Sequence, residues 1–410
     1  MKQRLEWLDA LRGFTMLMVV ANHVYSISFE ANSKYSMFMS VCLLFRMPLF
    51  FFISGFLAYK ATFSWNIADT WQLVQKKLRV QIIPTLFFMT AFIALFRKPF
   101  WQGMETAWLS PTKDGYWFTL VLLEMLLAYY VICFIANKVS SKCIVHSAEV
   151  RSAEVHSAEV HSAEVHSAEV HSDTCNSEMP ASQQSLCTMQ SSTMHSHDTV
   201  HSYILIAIWA IAFFGYATLY MPKWFHWQKD IFWQATSLTE FVRFFHCFLL
   251  GNLCHRHWGR LCRWLDTLGL TVMLLAVAFI GTADYLNWHT LRLHWANLPR
   301  TLAMYSLVLL CLAFFRHYAE WFKSGHIAGR TLQFIGVRTL DVYLLHYFFL
   351  PHMPGVGMWF KNNPHNFILE GTAAIAVALL VTAFTLLTSQ ILRVSPLLRK
   401  WLFGRDNSIK

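Results

Sequence analysis

Long apolar runs separated by short polar segments recur along most of the chain. About ten of these runs are long enough to cross a membrane as a helix, which needs roughly 20 apolar residues. A segment that satisfies its own backbone hydrogen bonds inside lipid is a helix. The pattern therefore predicts an all-α fold, a polytopic integral membrane helix bundle. The predicted spans are residues 11–29, 37–59, 80–96, 116–136, 202–220, 238–254, 264–284, 298–315, 333–351 and 366–392.

The composition supports this fold class. Hydrophobic residues make up 56% of the 410 residues, charged residues make up only 14%, and the mean hydropathy is +0.38. Soluble proteins carry about 25% charged residues. The formal net charge of +10 does not indicate a nucleic-acid partner. The Lys and Arg residues lie in short loops rather than in a basic patch interleaved with aromatic residues.

The distribution of Lys and Arg predicts how the chain crosses the membrane. With the N-terminus inside, the cytoplasmic segments hold 21 of these residues and the outer loops hold 9. This excess predicts that both termini are cytoplasmic. The charged start and the apolar run after it resemble a signal sequence. No small-residue cleavage site follows, so we expect an uncleaved first helix.

The segment between the fourth and fifth predicted spans has a different composition. Residues 146–170 are five pentads of the form HSAEV, with Arg151 in place of one His. A step of five residues turns about 140° on a helix, so the repeat builds no apolar stripe. We predict that residues 140–200 are a disordered cytoplasmic loop, which interrupts a membrane domain over residues 1–392. A short basic cytoplasmic tail follows at residues 393–410, and the repeat's His spacing does not indicate a metal site.

Ionisable residues fall inside the predicted spans, where each is costly and is therefore a candidate for function. His23 and His346 lie at similar depths in the first and ninth spans, toward the outer half of the bilayer. Together these residues predict a polar cavity within the bundle. For any one of them, a hydrogen bond to a neighbouring helix is the alternative. The other members of the set are Arg46, Glu124, Arg243, His246 and Glu370.

The first span also carries Arg12, eleven residues before His23. At about 100° per residue the two side chains lie on one helix face, roughly 16 Å apart along the axis. Lys76, Lys77 and Arg79 precede the third span and add cations at the same membrane edge. These residues either hold the topology, which we favour for Lys77, or neutralise the phosphates of a nucleotide.

Two pairs of opposite charge lie one helical turn apart in the spans. Asp9 precedes Arg12 by three residues, and Arg338 precedes Asp341 by the same interval. Residues at this spacing are neighbours on a helix surface. We predict that both are ion pairs with a mainly structural role, because pairing lowers the cost of burial.

Four stretches resemble the motifs of a known family. The opening RLEWLDALRGFTMLMVVANHV contains an Arg and a His separated by ten residues, and FRMPLFFFISGFL at 45–57 contains a Pro, Phe-Phe and Ser-Gly signature. YWFTLVLL at 116–123 and IGVRTLDVYLLH at 335–346 are similar to two further elements. The chain resembles membrane acyltransferase family 3, as a stand-alone O-acyltransferase. Lys76 and Arg79 keep the spacing of that family's basic pair, with Lys in place of the first Arg.

The resemblance implies an integral membrane enzyme that takes an acyl group, commonly acetyl, from acyl-CoA. The acceptor would be a hydroxyl of an extracytoplasmic surface glycan or of its lipid-linked precursor, and the location would be a bacterial inner membrane. The expected partners are therefore acyl-CoA, the saccharide and membrane lipids, without a metal. Arg12, Lys76 and Arg79 would hold the phosphates of acetyl-CoA.

On this interpretation His23 is the general base for the acceptor hydroxyl, since imidazole titrates near neutral pH. A covalent acyl-His23 intermediate remains open. His346 or Glu124 would orient His23 or bind the acceptor. Asn22 would donate a hydrogen bond to an oxyanion or to a neighbouring helix.

Two other functions also remain open. Enzymes similar to the lysosomal glucosaminide N-acetyltransferase begin with a Leu-Asp-x-x-Arg-Gly-Phe element, which residues 8–14 match. The stretch PLFFFISGFL argues against that class. A proton-coupled transporter or flippase would use the buried charges as a proton path. Internal repeats among the spans would favour transport, and the sequence contains no such repeat.

Overall fold

The computed structural model describes most of the chain. Within the described ranges the regular secondary structure is helical and contains no strand. The predicted all-α fold, a helical membrane bundle, is therefore confirmed. The described ranges are residues 5–32, 36–60, 63, 65–162, 199–219, 230–286, 298–363 and 366–403.

The helices differ widely in length. Three π-helical segments accompany them in the described residues: Val24–Ser28 continues the first helix, Leu78–Ile82 joins the third to the fourth, and Gly215–Leu219 lies at the end of the seventh. In chain order the helices are α1 (Glu6–His23), α2 (Met37–Ala58), α3 (Ile67–Lys77), α4 (Ile83–Phe96), α5 (Phe100–Leu109), α6 (Trp117–Ser162), α7 (Thr199–Ala217), α8 (Ile231–Ala235), α9 (Leu238–Arg256), α10 (Trp258–Leu265), α11 (Leu268–Leu286), α12 (Leu298–His317), α13 (Ile327–Val337), α14 (Thr339–Leu345), α15 (Pro354–Asn362), α16 (Phe367–Val394) and α17 (Pro396–Phe403).

Fewer helices than predicted are long and apolar enough to cross a membrane. The described residues contain six, and a seventh if α10 and the following helix, which meet at 82°, form one broken span. All seven coincide with predicted spans. The six are Met37–Ala58, Ile67–Phe96, Trp117–Ser140, Thr199–Ala217, Leu298–His317 and Phe367–Val394.

The other three predicted spans are helical, but they are too polar or too short to meet that standard. The first corresponds to α1 and the sixth to α9. The ninth is broken into α13, α14 and a 3₁₀ turn at His346–Phe349. The described residues therefore hold fewer span-length apolar helices than the ten predicted, because these three segments contain polar residues or breaks. Each carries a buried or half-buried histidine toward the interior, namely His23, His246 and His346.

The position of α1 explains how a charged helix can lie inside the bundle. It packs against α2, α12, α13 and α16, and 13 of its 18 residues are buried. A helix enclosed by other helices is shielded from lipid, so its polar side chains meet protein or a cavity rather than hydrocarbon. α1 is therefore the central helix around which a polar site can form.

Glycines allow α1 and α13 to touch backbone to backbone. A Cβ added at Gly13 would overlap the carbonyl oxygen of Leu332, and one added at Gly336 would overlap the carbonyl oxygen of Asp9. Small residues permit this close approach in membrane helices. The contact fixes α13, and with it α14, beside the helix that carries His23.

The Ser-Gly signature of α2 has a packing role. A Cβ at Gly55 would overlap the backbone of Phe248 in α9, and one at Gly251 of α9 would overlap the backbone of Phe52. Because glycine has no side chain at either position, the two helices can pack closely together. The glycine of this motif is therefore explained by helix packing rather than by chemistry.

The segment after the span of α6 differs from the prediction. The helix continues to Ser162, through the first part of the predicted loop at 140–200. Ala and Glu are good helix formers, and the pentad contains neither Gly nor Pro, so it can extend a helix that has already started. Residues 163–198 lie outside the described residues. In the predicted tail α17 is helical, and residues 404–410 are also outside them.

Candidate active site

Two histidines predicted at similar depth meet at the centre of the bundle. His23 is the last residue of α1, and His346 follows the end of α14. Their ring centroids are 5.3 Å apart, with an angle of 37° between the ring planes. His346 is fully buried, whereas His23 is only half-buried. His23 is therefore the member of the pair that a ligand can reach.

The hydrogen bonds of His346 define its tautomer. Its Nδ1 lies 3.0 Å from the carbonyl oxygen of Val342 and 2.9 Å from that of Tyr343. A carbonyl oxygen only accepts, so Nδ1 carries the proton and donates. The lone pair of the neutral ring is then on Nε2, which is buried without a hydrogen-bond partner in the described part of the chain. His346 thus keeps a basic nitrogen inside the site.

Tyr347, which the sequence reasoning missed, completes the group. Its Oη lies 3.1 Å from Nε2 of His23. Its ring centroid is 4.0 Å from that of His346. The tyrosine therefore contacts both histidines and restrains the ring of His23. A hydroxyl next to a histidine inside an apolar run is the signal that could have identified it.

A small chamber opens beside His23. Its volume is about 40 Å³, and one water needs about 10–15 Å³ on this measure. The space therefore holds about three water-sized atoms or groups. Arg46 of α2 lies in its wall, 9% exposed. The lining side chains include His23, Arg46, Phe50, Trp117, Phe118 and Tyr343.

A larger cavity of about 430 Å³ adjoins the chamber. Its lining is rich in cations, and its one acidic side chain, Asp341, is already paired with Arg393 at 2.6 Å. The cavity therefore carries a strong positive potential, which suits a phosphorylated ligand. The cationic residues are Arg12, Lys60, Lys76, Lys77 and Arg393.

The predicted phosphate-binding residues divide into two groups. Arg12 and Lys76 line the large cavity, and so does Lys77, for which a topological role was favoured. Arg79 lies in the π-helical segment after α3, is exposed, and is not among the residues that line this cavity. The i, i+3 pair is therefore split, because the change of helical geometry at Leu78 alters the direction of the later side chain.

Three aromatic residues form the partition between the cavities. Phe50, Phe118 and Tyr343 line both. The ring centroids of Phe50 and Phe118 are 4.7 Å apart, and those of Phe118 and Tyr343 are 5.5 Å apart. These rings therefore lie between a ligand in the cationic cavity and the chamber of His23.

One of the two predicted ion pairs is confirmed and the other is wrong. Arg12 Nη1 lies 3.3 Å from Asp9, and its Nη2 donates to Thr339 Oγ1 at 3.2 Å. Asp341 pairs instead with Arg393 of α16 and accepts from Ser389 at 2.7 Å. The helix breaks at Arg338, so the i, i+3 spacing does not place that residue beside Asp341.

A strained loop bounds the chamber on its other side. Lys113, Asp114 and Gly115 have φ values of 48°, 49° and 98°, the left-handed region. The Nζ of Lys113 donates to three carbonyl oxygens at 2.6, 2.9 and 2.8 Å. Burial lowers the pKa of this ammonium to about 8, so it remains charged at neutral pH. Tyr343 Oη donates to the carbonyl oxygen of Gly115 at 2.8 Å and ties the loop to α14.

Other predicted polar residues lie apart from the His pair. Glu124 is near Lys113 and is absent from the described linings of both cavities. His246 Nδ1 lies 2.6 Å from Tyr305 Oη, and Arg243 pairs with Glu240 at 3.0 Å. The expected single polar cavity is therefore corrected: of the seven ionisable residues, only His23, His346 and Arg46 gather. Glu370 is buried in α16, and Asn22 is buried in α1 but does not line the chamber.

Comparison with known proteins assigns the chain to a family. The family model of the acyltransferase-3 type, described as an acyltransferase domain, matches residues 5–394. This range includes the chamber, the His pair, every cationic residue that lines the larger cavity and nearly all of the predicted membrane domain. No curated protein and no solved structure matches the chain. The protein therefore belongs to the acyltransferase-3 family, as a multi-pass membrane acyltransferase.

Proposed function

We propose that the protein transfers a short acyl group from acyl-CoA to a hydroxyl of an extracytoplasmic glycan or its lipid-linked precursor. The observation that carries this proposal is the direct adjacency of the cationic cavity and the chamber of His23, which share three lining residues. Such an arrangement suits a donor with a phosphorylated end and a reactive end. The membrane is a bacterial inner membrane, with both termini in the cytoplasm.

The donor enters from the cytoplasmic side in this proposal. The phosphates of CoA bind among Arg12, Lys76 and Lys77, with Lys60 and Arg393 nearby in the same wall. Arg12 presents planar paired donors to a phosphate, whereas the lysines act as point charges. The pantetheine arm then passes the aromatic partition and brings the thioester toward His23, which lies about 16 Å along α1 from Arg12.

The size of the chamber supports a short acyl group. An acetyl group has three non-hydrogen atoms, and the chamber holds roughly three water-sized groups. A longer chain has no further space beside His23, since Phe118 and Trp117 bound the chamber. Acetyl-CoA is accordingly the donor that this geometry fits.

The reaction follows from these positions. The acceptor oxygen forms a bond to the thioester carbonyl carbon while an imidazole nitrogen of His23 takes its proton. The carbonyl π electrons move onto the carbonyl oxygen, giving a tetrahedral oxyanion. When they return, the C–S bond breaks and the thiolate leaves with the proton from His23. The products are the acyl ester and free CoA, and the imidazole is neutral again.

The partners of His23 hold its ring in place. Tyr347 contacts it through its hydroxyl, and the ring of His346 packs with its centroid 5.3 Å from that of His23. His346 is therefore a positioning residue. An acyl-His23 intermediate uses the same contacts, and trapping labelled protein under acid quench would distinguish it from direct transfer.

Purified protein in liposomes with [¹⁴C]acetyl-CoA tests the proposal. Host membrane saccharides are supplied on the side opposite the nucleotide, and CoA release is measured in parallel with a thiol reagent. We expect label in the saccharide fraction, CoA release in equal amount, and loss of the label in mild alkali, which cleaves esters. Alkali-stable label would indicate an amide and an N-acetyltransferase. Label taken up without CoA release would overturn the enzyme proposal in favour of transport.

A further inference from the structure

Resting on the proposed function, we infer that Arg46 is a catalytic residue that stabilises the oxyanion formed in the chamber of His23. Sequence reasoning placed this arginine only among the polar residues of the spans. It lies in α2, one of the helices that are long and apolar enough to cross a membrane. An arginine in such a helix needs a specific reason to be retained.

No acidic side chain pairs with Arg46 among the described residues. Its side chain is 9% exposed, and its Nε is buried without a hydrogen-bond partner in the part of the chain that the structure describes. By contrast, ion pairs connect Arg12 with Asp9, Arg243 with Glu240, and Arg393 with Asp341.

The absence of a partner has an energetic meaning. A buried charge without compensation destabilises the folded state, and removing it often leaves a protein as stable or more stable. A residue that serves packing alone would not need the charge. Arg46 therefore fits a group whose anionic partner arises during the reaction.

The position of Arg46 identifies that anion. Its side chain lines the same chamber of about 40 Å³ as His23, so a carbonyl attacked beside His23 lies within the reach of both. When the acceptor oxygen attacks, the negative charge develops on the carbonyl oxygen and returns when the C–S bond breaks. Arg46 donates hydrogen bonds to this oxygen and exchanges no proton.

The surroundings strengthen this interaction. Phe50 and Phe118 line the chamber with apolar surface, and Met47 adds to it. Charges interact more strongly in such a medium than in water. A fixed cation of this kind costs no reorganisation when the oxyanion forms, which is how oxyanion sites accelerate acyl transfer.

Replacing Arg46 by methionine tests the inference, because methionine keeps much of the length and removes the charge. We expect kcat for acetyl transfer to saccharide to fall by about 10²- to 10³-fold, as for loss of an oxyanion donor. The KM for acetyl-CoA should stay within about twofold, because Arg46 does not line the phosphate-binding cavity. The melting temperature of Arg46→Met in detergent should equal or exceed that of the wild type.

The conservative variant Arg46→Lys keeps the charge and should retain more activity than Arg46→Met. A lower melting temperature of Arg46→Met would assign Arg46 a structural role and overturn the inference. A change confined to the KM for the saccharide would also overturn it, since the charge would then bind an anion of the acceptor. Wild-type protein is assayed in parallel. No transfer by the wild type would contradict the proposed function itself, whereas wild-type kcat in Arg46→Met contradicts only the role of Arg46.

Discussion

At the scale of single residues, the His23 ring is held by a tyrosine that lies next to His346 in the chain. The Tyr347 hydroxyl is 3.1 Å from His23 Nε2, and a Cβ added at Gly115 would overlap this hydroxyl. The glycine at that point of the loop therefore leaves room for the tyrosine. This arrangement gives His23 one defined orientation toward the chamber.

Removal of this hydroxyl tests the positioning role. We expect Tyr347→Phe to lower kcat by about tenfold, because a hydrogen bond is worth about 1 kcal/mol and orientation of the base is lost. The KM for acetyl-CoA should not change. Tyr305→Phe is the matched control, since it removes a hydroxyl 2.6 Å from His246, outside the site. Steady-state kinetics of the two variants give the comparison, and equal losses would contradict the role of Tyr347.

The sequence predicted contacts between single residues correctly where both residues lie on one continuous helix. Arg12 and His23 lie on the continuous helix α1, so their shared face and the Asp9–Arg12 pair follow from spacing alone. The Arg338–Asp341 pair failed because the helix breaks at Arg338. Tyr347 was missed because its role depends on a contact between α1 and the segment after α14, which no local pattern encodes.

At the scale of helices, the junction between α3 and α4 decides which cations reach the donor cavity. Lys76 and Lys77 end α3 and line the cavity, whereas Arg79 falls in the π-helical segment and is exposed. A π-turn adds residues per turn, so side chains beyond it no longer continue the face of the preceding helix. The end of α3, rather than the residue type, therefore determines which of these cations line the cavity.

A pair of variants from this junction tests the phosphate role. We expect Lys76→Gln to raise the KM for acetyl-CoA by about three- to tenfold. The effect is modest because a partly solvated charge contributes less binding free energy than a buried one. Arg79→Gln should leave the KM unchanged and serves as the control. Titration of transfer rate against acetyl-CoA concentration measures both. A larger effect for Arg79→Gln would contradict the assignment.

The contact between α1 and α13 is a second feature at this scale, and its glycines can be tested by stability. We expect Gly336→Ala to destabilise the fold by about 2 kcal/mol, because the added methyl overlaps the backbone of Asp9 and forces the helices apart. Gly269→Ala is the control, since nothing lies within 4 Å of the new atom in α11. Thermal unfolding in detergent measures the difference, and equal melting temperatures would contradict the close-packing account.

At the scale of the whole molecule, α1 lies enclosed by α2, α12, α13 and α16 although it carries polar residues. The chain's apolar windows predicted the fold class and the seven segments that are apolar enough to span. They overstated the number of such helices, because α1, α9 and the α13–α14 pair are helical yet carry polar residues or breaks. The enclosure of α1 depends on tertiary packing, so hydropathy along the chain cannot identify it. Enclosure of α1 is what allows a cationic cavity and a histidine chamber to meet inside a membrane protein.

The central claim is that one cavity binds the donor and the other performs the transfer, and one measurement separates these roles. Purified His23→Gln is compared with the wild type for binding of [³H]CoA by equilibrium dialysis and for transfer of label from [¹⁴C]acetyl-CoA to saccharide. His317→Gln, at an exposed position on α12, is the control. We predict unchanged CoA binding by His23→Gln and transfer reduced by about 10²- to 10⁴-fold, the usual contribution of a general base. Transfer by His23→Gln at the wild-type rate would contradict the account.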